Sequence, residues 1–331
     1  MLLNRVCHYC KLRILAIYRL YLYWGHANCG DLIFSGNMVL KMDISNVING
    51  NRLVRSVLSG PLAVRRVLRN STFKHSHTVI DRLAENVAGD IRIRIPEFMG
   101  QFELSPKSDL FRRIAIEGTY EPKLVQVLLN YLERDGDFID VGANVGFFSV
   151  LAAQKINGRV LAIEPTPAAL ARLKTNIGIN DLSERIIVYE GAASDDEGEI
   201  SINVISGKEE YSSLGSLIHP SIQGSDFEQI NVKKQRIDNL VDQFNLRPKF
   251  IKVDVEGAES LAFKGALNTL MKHRPIVLSE LSNSLLQNFG TSSSQIVKMF
   301  EGLGYDVVDP IMTGQQPGRR EFGDILCVPR T

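Results

Sequence analysis

Apolar and polar positions settle into a clear order at residues 137–156. Phe138, Ile139 and Val141 form a short β-favouring run, Gly142 and Gly146 interrupt it, and residues 147–156 are too densely apolar and too long for another strand. The pattern predicts strand, glycine turn, helix. Just upstream, Pro122 opens a helix with Leu124, Val125, Leu128, Leu129 and Leu132 on its apolar side. Further upstream, Ile91, Ile93 and Ile95 alternate with Arg92 and Arg94 as a half-buried strand. Downstream come an apolar run at 160–163 and a helix from the cap pair Thr166-Pro167 to about Ile177. Strands follow at 186–189, 250–255, 276–278, 305–308 and 325–328. Strand and helix therefore alternate, which predicts an α/β protein with a doubly wound, mostly parallel sheet. Residues 200–204 and 230–237 alternate apolar with polar and read as two antiparallel strands that interrupt the winding. The polar stretch 212–224, with His219, joins them, and a glycine-rich loop is expected at 313–323.

The N-terminal third lacks this order. Residues 12–24 are apolar and tyrosine-rich but include Arg13 and Arg19, and 13 residues are too few to span a bilayer. Neither a transmembrane span nor a secretory signal is expected; the segment reads as either an interfacial helix that makes peripheral membrane contact or a packing helix. Cys7, Cys10, His26 and Cys29 have the spacing of a four-ligand zinc site, but the helix-like segment between the pairs argues against a compact zinc loop, and no metal is expected. Residues 54–68 and 79–87 are amphipathic. Arg52, Arg55, Arg65, Arg66 and Arg69 form a solvated basic face there, with an acidic lipid or glycan partner as the alternative. The expected organisation is an extension over 1–37, a region of helices and short strands over 38–114, and a catalytic domain over 115–331.

Composition narrows the class. The 331 residues are 44% hydrophobic, enough for one large core with a small accessory region. With 38 basic and 37 acidic residues the net charge is +1, so no strong field draws in a long nucleic acid. The fourth cysteine is Cys327, leaving residues 30–326 without one, which fits a reducing cytoplasm.

The candidate chemistry sits at strand ends. Gly142 permits φ > 0 and close approach to a ligand, Asn144 keeps a left-handed turn without glycine, and Gly146 clears the helix start. Asp140 repels a pyrophosphate but attracts the ammonium and sulfonium charges of S-adenosylmethionine (SAM), so SAM is favoured over NAD. Glu164 ends the second strand, where ribose hydroxyls are bound in nucleotide-binding folds. Ala192 is small enough for an adenine ring to approach, and Glu121 either faces the amino-acid end of SAM or serves the helix dipole. Lys252, Asp254 and Glu256 share one side of a later strand while it lasts, and its end should lie beside the glycine turn. Asp254 is then near the transferred methyl as base or orienter, with helix capping as the alternative. Glu280 is the second candidate, on the same rim.

The segments Asp-Val-Gly-Ala-Asn-Val-Gly at 140–146, Ile-Glu-Pro at 163–165, Lys-Val-Asp-Val-Glu-Gly-Ala-Glu at 252–259 and Ser-Glu-Leu at 279–281 resemble those of the FkbM-type SAM-dependent methyltransferases. The likeness covers roughly residues 115–310. It implies a seven-stranded class I methyltransferase fold and methyl transfer to a hydroxyl of a sugar, glycan or polyketide-like small molecule. It further implies that Asp140, Gly142, Asn144 and Gly146 hold the methionine end of SAM and that Glu164 holds the ribose. The alternatives are a SAM-binding protein without turnover and a methyltransferase acting on nitrogen or on a macromolecule.

Overall fold

The computed structural model describes residues 87–330 apart from 118, 205–212, 215–227 and 312–321. The zinc-like cysteine and histidine set, the apolar stretch 12–24, the basic helices at 52–69, His219 and most of the glycine-rich 313–323 loop lie outside the described residues. The first described strands, β1 (Ile91–Ile95) and β2 (Gly100–Leu104), form an antiparallel hairpin. Helices α1 (Asp109–Glu117) and α2 (Pro122–Tyr131) lead into β3 (Asp137–Val141). Then come α3 (Phe147–Lys155), β4 (Val160–Glu164), α4 (Pro167–Ile179) and β5 (Ile186–Glu190).

A second small sheet follows, with order β6 (Ala192–Ala193), β9 (Glu228–Gln235), β7 (Gly198–Val204), β8 (Ser213–Leu214). It is the predicted interruption, with β7 and β9 antiparallel; Ile237 begins helix α5 (Ile237–Gln243) rather than ending the strand. The winding resumes with β10 (Pro248–Val253), α6 (Glu259–Lys264), α7 (Leu267–His273), β11 (Ile276–Ser282), α8 (Ser293–Gly302), β12 (Tyr305–Val308) and β13 (Phe322–Pro329).

The main sheet has seven strands in the order β12, β13, β11, β10, β3, β4, β5, and only β13 runs antiparallel to its neighbours. This is the predicted doubly wound α/β architecture. The chain runs outward from β3 to β5 and returns to start the other half at β10, so the order reverses between β3 and β10. At such a switch point the crossovers leave a crevice outside the carboxyl ends of the strands.

Period-two alternation divides the core. Phe138 faces a cluster with Phe98, Phe102, Phe147 and Val150, while Ile139 and Val141 face one with Phe263, Phe300 and Tyr305. The hairpin belongs to the first cluster. Its β2 edge is tied to α4 by two asparagines. Asn180 Oδ1 accepts the Gln101 N–H at 2.9 Å and Asn176 Oδ1 accepts the Glu103 N–H at 2.7 Å. Asn176 Nδ2 also donates to the Val145 carbonyl at 2.8 Å, so one buried amide joins the hairpin to the glycine turn. Among the described residues no helix is long and apolar enough to cross a membrane.

Candidate active site

The carboxyl ends of β3, β4, β10 and β11 open on a cavity of about 700 Å³. One side is the turn between β3 and α3. Gly142 has φ 79° and Asn144 φ 51°, the left-handed backbone expected of them, and Gly146 shares it at φ 91°. Neighbouring backbone and side chains add a further reason for the two glycines. A Cβ on Gly142 would collide with the carbonyl oxygen of Asp254, and one on Gly146 would come within 2.6 Å of Leu173 on α4. Both glycines admit neighbouring protein, and Gly142 also lines the cavity.

The turn's amides are directed inward as well. Gly142 and Ala143 donate to the Ile163 carbonyl at 3.0 Å each, Asn144 donates to Glu164 Oε2 at 2.8 Å, and Gly146 donates to the Ala143 carbonyl at 2.8 Å. A pyrophosphate cradle needs loop amides aimed at the ligand. These four are already engaged, which counts against a dinucleotide.

Glu164 sits where expected, at the end of β4 and on the cavity wall. Its Oε1 accepts the Thr166 N–H at 2.9 Å and the Thr166 hydroxyl at 2.6 Å. Thr166 is the N-cap of α4 with Pro167 in the first turn, as expected, but its side chain serves Glu164 and makes no capping bond. Burial pushes Glu164 up, and the bonds from Thr166 and Asn144 oppose it. Three of the roughly four lone-pair positions of the carboxylate are used, so Oε2 retains capacity for one more donor. Ala192 lines the same side with Val141, Ile163, Ala193 and Ile202, a small and apolar surface.

Asp140 is not on the cavity wall. The alternation of β3 turns it toward α3, where Ser149 Oγ donates to Oδ2 at 2.6 Å, and Oδ1 is buried without a hydrogen-bond partner. Burial pushes its pKa up, and the Lys252 charge pulls it back. Lys252 is beside it in the sheet register and does line the cavity.

The opposite side is acidic. Lys252 is buried, with Nζ 3.0 Å from Asp254 Oδ2 and 4.8 Å from the Phe148 ring centroid. Burial favours its neutral amine, but the charges of Asp254, Asp140 and Glu121 outweigh this and hold the ammonium well above the usual lysine range. Asp254 follows the last residue of β10, and its N–H donates to the Val141 carbonyl at 3.0 Å. It does not cap α6, whose N-cap is Ala258. Glu256 lines the cavity but is not on the strand face expected for it. The strand ends at Val253, and Glu256 has φ 50° in a left-handed turn.

That turn is pinned by Glu259, a residue whose role the sequence did not reveal. Its Oε1 accepts the Val255 N–H at 3.3 Å and the Gly257 N–H at 3.1 Å, and burial pushes its pKa up to about 7. Glu280 lies within β11, which continues to Ser282 instead of stopping near residue 278, and it stands directly opposite Asp324 on β13. Burial first, then the Asp254, Glu121, Asp324 and Glu256 charges, push Glu280 well above the carboxylate range. Burial and the Asp254 and Glu259 charges do the same to Glu256.

Glu121 takes a left-handed N-cap position on α2 without a side-chain capping bond, and it lines the cavity. Its pKa is raised by burial and by Asp254. Tyr120, Arg113 and Asp324 complete this side and were not singled out by pattern. The Arg113 guanidinium lies 4.9 Å from the Tyr120 ring centroid. Among the described residues no group of three or more His, Cys, Asp or Glu side chains is arranged to hold a metal ion.

A segment of 182 residues is 28% identical to the hexuronic acid methyltransferase AglP of Haloferax volcanii, covering 52% of this chain and 66% of that protein, just short of two thirds. A segment of 196 residues is 24% identical to the methyltransferase sdnD of Sordaria araneosa, covering 51% and 73%. The FkbM methyltransferase structure from Methylobacillus flagellatus KT aligns at 17% identity and a TM-score of 0.38, covering 86% of this chain and 59% of that one. The methyltransferase FkbM domain model matches residues 140–307, just over half of the 331, from the glycine turn to β12. The chain therefore belongs to the FkbM methyltransferase family.

Proposed function

We propose that this protein is a SAM-dependent O-methyltransferase acting on a hydroxyl of a sugar, glycan or similar small molecule. The observation that carries the reading is a single cavity with two unlike sides: an inward-bonded glycine turn with Glu164, and a carboxylate group around Lys252. Bound between them, SAM supplies a methyl group on a positively charged sulfur.

The residues divide the work. Glu164 accepts a ribose hydroxyl with the capacity left on Oε2, and Ala192 leaves room for the base. Gly142, Asn144 and Gly146 set the path of the turn, and Glu121 meets the ammonium. Asp140 acts by holding Lys252, and Lys252 holds Asp254. Asp254 then orients the acceptor hydroxyl and takes its proton, with Glu280 as the second candidate and Glu256 beside them on the cavity wall. Alignment is the main contribution, and a positioned base adds about 10²- to 10⁴-fold. The sugar class of acceptor is supported by the hexuronic acid methyltransferase among the relatives.

Calorimetry with S-adenosylhomocysteine and NAD, followed by methyl transfer from labelled SAM to fractionated cell extract, tests the reading. S-Adenosylhomocysteine should bind, NAD should not, and label should enter a carbohydrate or small-molecule fraction. Tighter binding of NAD would overturn the cofactor assignment. Binding without transfer to any fraction would favour a protein that holds SAM but does not turn it over.

A further inference from the structure

The first turn of α3 closes on Lys252 from within the fold. Phe148 sets its ring 4.8 Å from Nζ, and the next residue, Ser149, is fully buried and donates its hydroxyl to Asp140 Oδ2 at 2.6 Å. Asp140 and Lys252 are register partners on β3 and β10, extending the face that Phe138 and Phe250 begin. One buried ammonium therefore has an acid beside it and a second, Asp254, just past the strand end. Its hydrogen bond goes to Asp254 Oδ2 at 3.0 Å, while Asp140 Oδ1 is buried without a partner. A buried carboxylate is costly unless donors reach it, so Asp140 competes for the same cation, whose charge already acts on it. On its other flank the register partner of Asp140 is Ala162, which has no side-chain donor. The donor that holds Asp140 toward α3 is Ser149, through a short charge-assisted bond. Neither Asp140 nor Ser149 lines the cavity.

We infer that Ser149 is a positioning residue for the reaction: its hydroxyl holds Asp140 toward α3 and so leaves the Lys252 ammonium on Asp254. The inference rests on the reading of Asp254 as the base, and it adds a residue away from the cavity wall on which that base depends. Without the hydroxyl, Asp140 draws Nζ across the strand pair. Asp254 then loses the hydrogen bond that fixes its orientation, and the acceptor hydroxyl meets a carboxylate that is no longer aimed at it. Glu121 adds its charge from α2 in either arrangement.

The test uses the full chain with isotope-labelled lysine and aspartate side chains. Nuclear magnetic resonance reads which carboxyl carbon couples to the Lys252 ammonium across its hydrogen bond. Asp254 is the expected partner in the native chain and in Ser149→Thr, and Asp140 in Ser149→Ala. In Ser149→Ala combined with Asp140→Asn the ammonium should return to Asp254, because the competing charge is gone. Ser149→Cys, with its weak thiol donor, replaces Ser149→Ala if that variant fails to fold. Label transfer from SAM to the accepting fraction of cell extract should slow by about tenfold or more in Ser149→Ala, with S-adenosylhomocysteine affinity within about twofold of native. An ammonium that stays on Asp254 in Ser149→Ala, one that leaves Asp254 in the double variant, or an unchanged rate overturns the inference. Absence of label transfer by the native chain would count against the methyltransferase reading instead, and the coupling still decides where Ser149 puts the ammonium.

Discussion

At the β3–β4 end of the cavity, Glu164 takes three hydrogen bonds and the turn's amides close on Ile163 and Ala143. At the β10–β11–β13 end, several carboxylates crowd one buried ammonium and raise one another's proton affinity. The first end is largely fixed by its own hydrogen bonds, with one acceptor position left on Glu164. Its shape is fixed by satisfied polar groups, and a change there should be felt mainly as lost stability or lost cofactor affinity. The second end is held together by charge, and a change there should be felt in turnover and in pH dependence.

The largest expected effect that would break this comparison is at Asp254. Asp254→Asn keeps the size of the side chain and a hydrogen-bonding oxygen for Lys252, yet it cannot take a proton. Initial rates should fall by roughly 10²- to 10⁴-fold with little change in the melting temperature. Full activity would remove Asp254 as base, and lost S-adenosylhomocysteine affinity would place it against the cofactor instead.

Next in size is Gly142→Ala. The added Cβ meets the Asp254 carbonyl and forces a left-handed backbone on alanine. Denaturant unfolding should show a loss of about 3 kcal/mol or more, in the upper range for strain combined with a backbone clash. A near-neutral result would mean that the β10 tail and the turn are not locked together. Asn176→Ala comes below it. Removing a buried amide that serves Glu103 and Val145 should cost about 1 to 3 kcal/mol, read by the same unfolding experiment.

The smallest effect is on pH dependence. Glu256, Glu259 and Glu280 have folded pKa values raised above the unfolded one, so between about pH 5 and pH 9 the folded state binds more protons. Their contribution is fully present below the unfolded value and is lost as pH rises through the folded values, so the melting temperature should fall across that window. Glu280→Gln removes one of these titrations. Its stability curve should be flatter by about 1 kcal/mol per pH unit where the two states differ by one proton. An unchanged slope would show that Glu280 does not stay protonated in the fold.

The sequence was most legible where local pattern decides structure. Strand β3, its glycine turn and α3 follow from hydrophobic spacing and from two residues that tolerate a left-handed backbone. What it hid depends on distant partners. Gly142 is required by Asp254, which reaches it only because β10 returns beside β3. Asp140 looked like a ligand group, but the parity of β3 buries it against Ser149. Glu256 looked like a strand residue, but a left-handed turn held by Glu259 carries it off the strand. Strand β2 and helix α1 are short enough to pass unnoticed, although both carry their period. Phe102 and Leu104 alternate with Gln101 and Glu103, and Leu110, Phe111 and Ile114 share a helix face; Phe102 meets Phe147 edge-on.

The asparagine tie between the hairpin and α4 bears on how this protein can be cut. The family match begins at residue 140, yet Asn176 lies inside it while the backbone it serves, at Glu103, lies outside. Trimmed to the matched segment, the chain would leave the Asn176 amide facing solvent on one side while still bonded to the Val145 carbonyl on the other. The aromatic stack of Phe98 on Phe147 would be gone with it. A boundary drawn from family likeness would then pass through the middle of a cooperative unit, and a fragment drawn there should behave as a partly unfolded one.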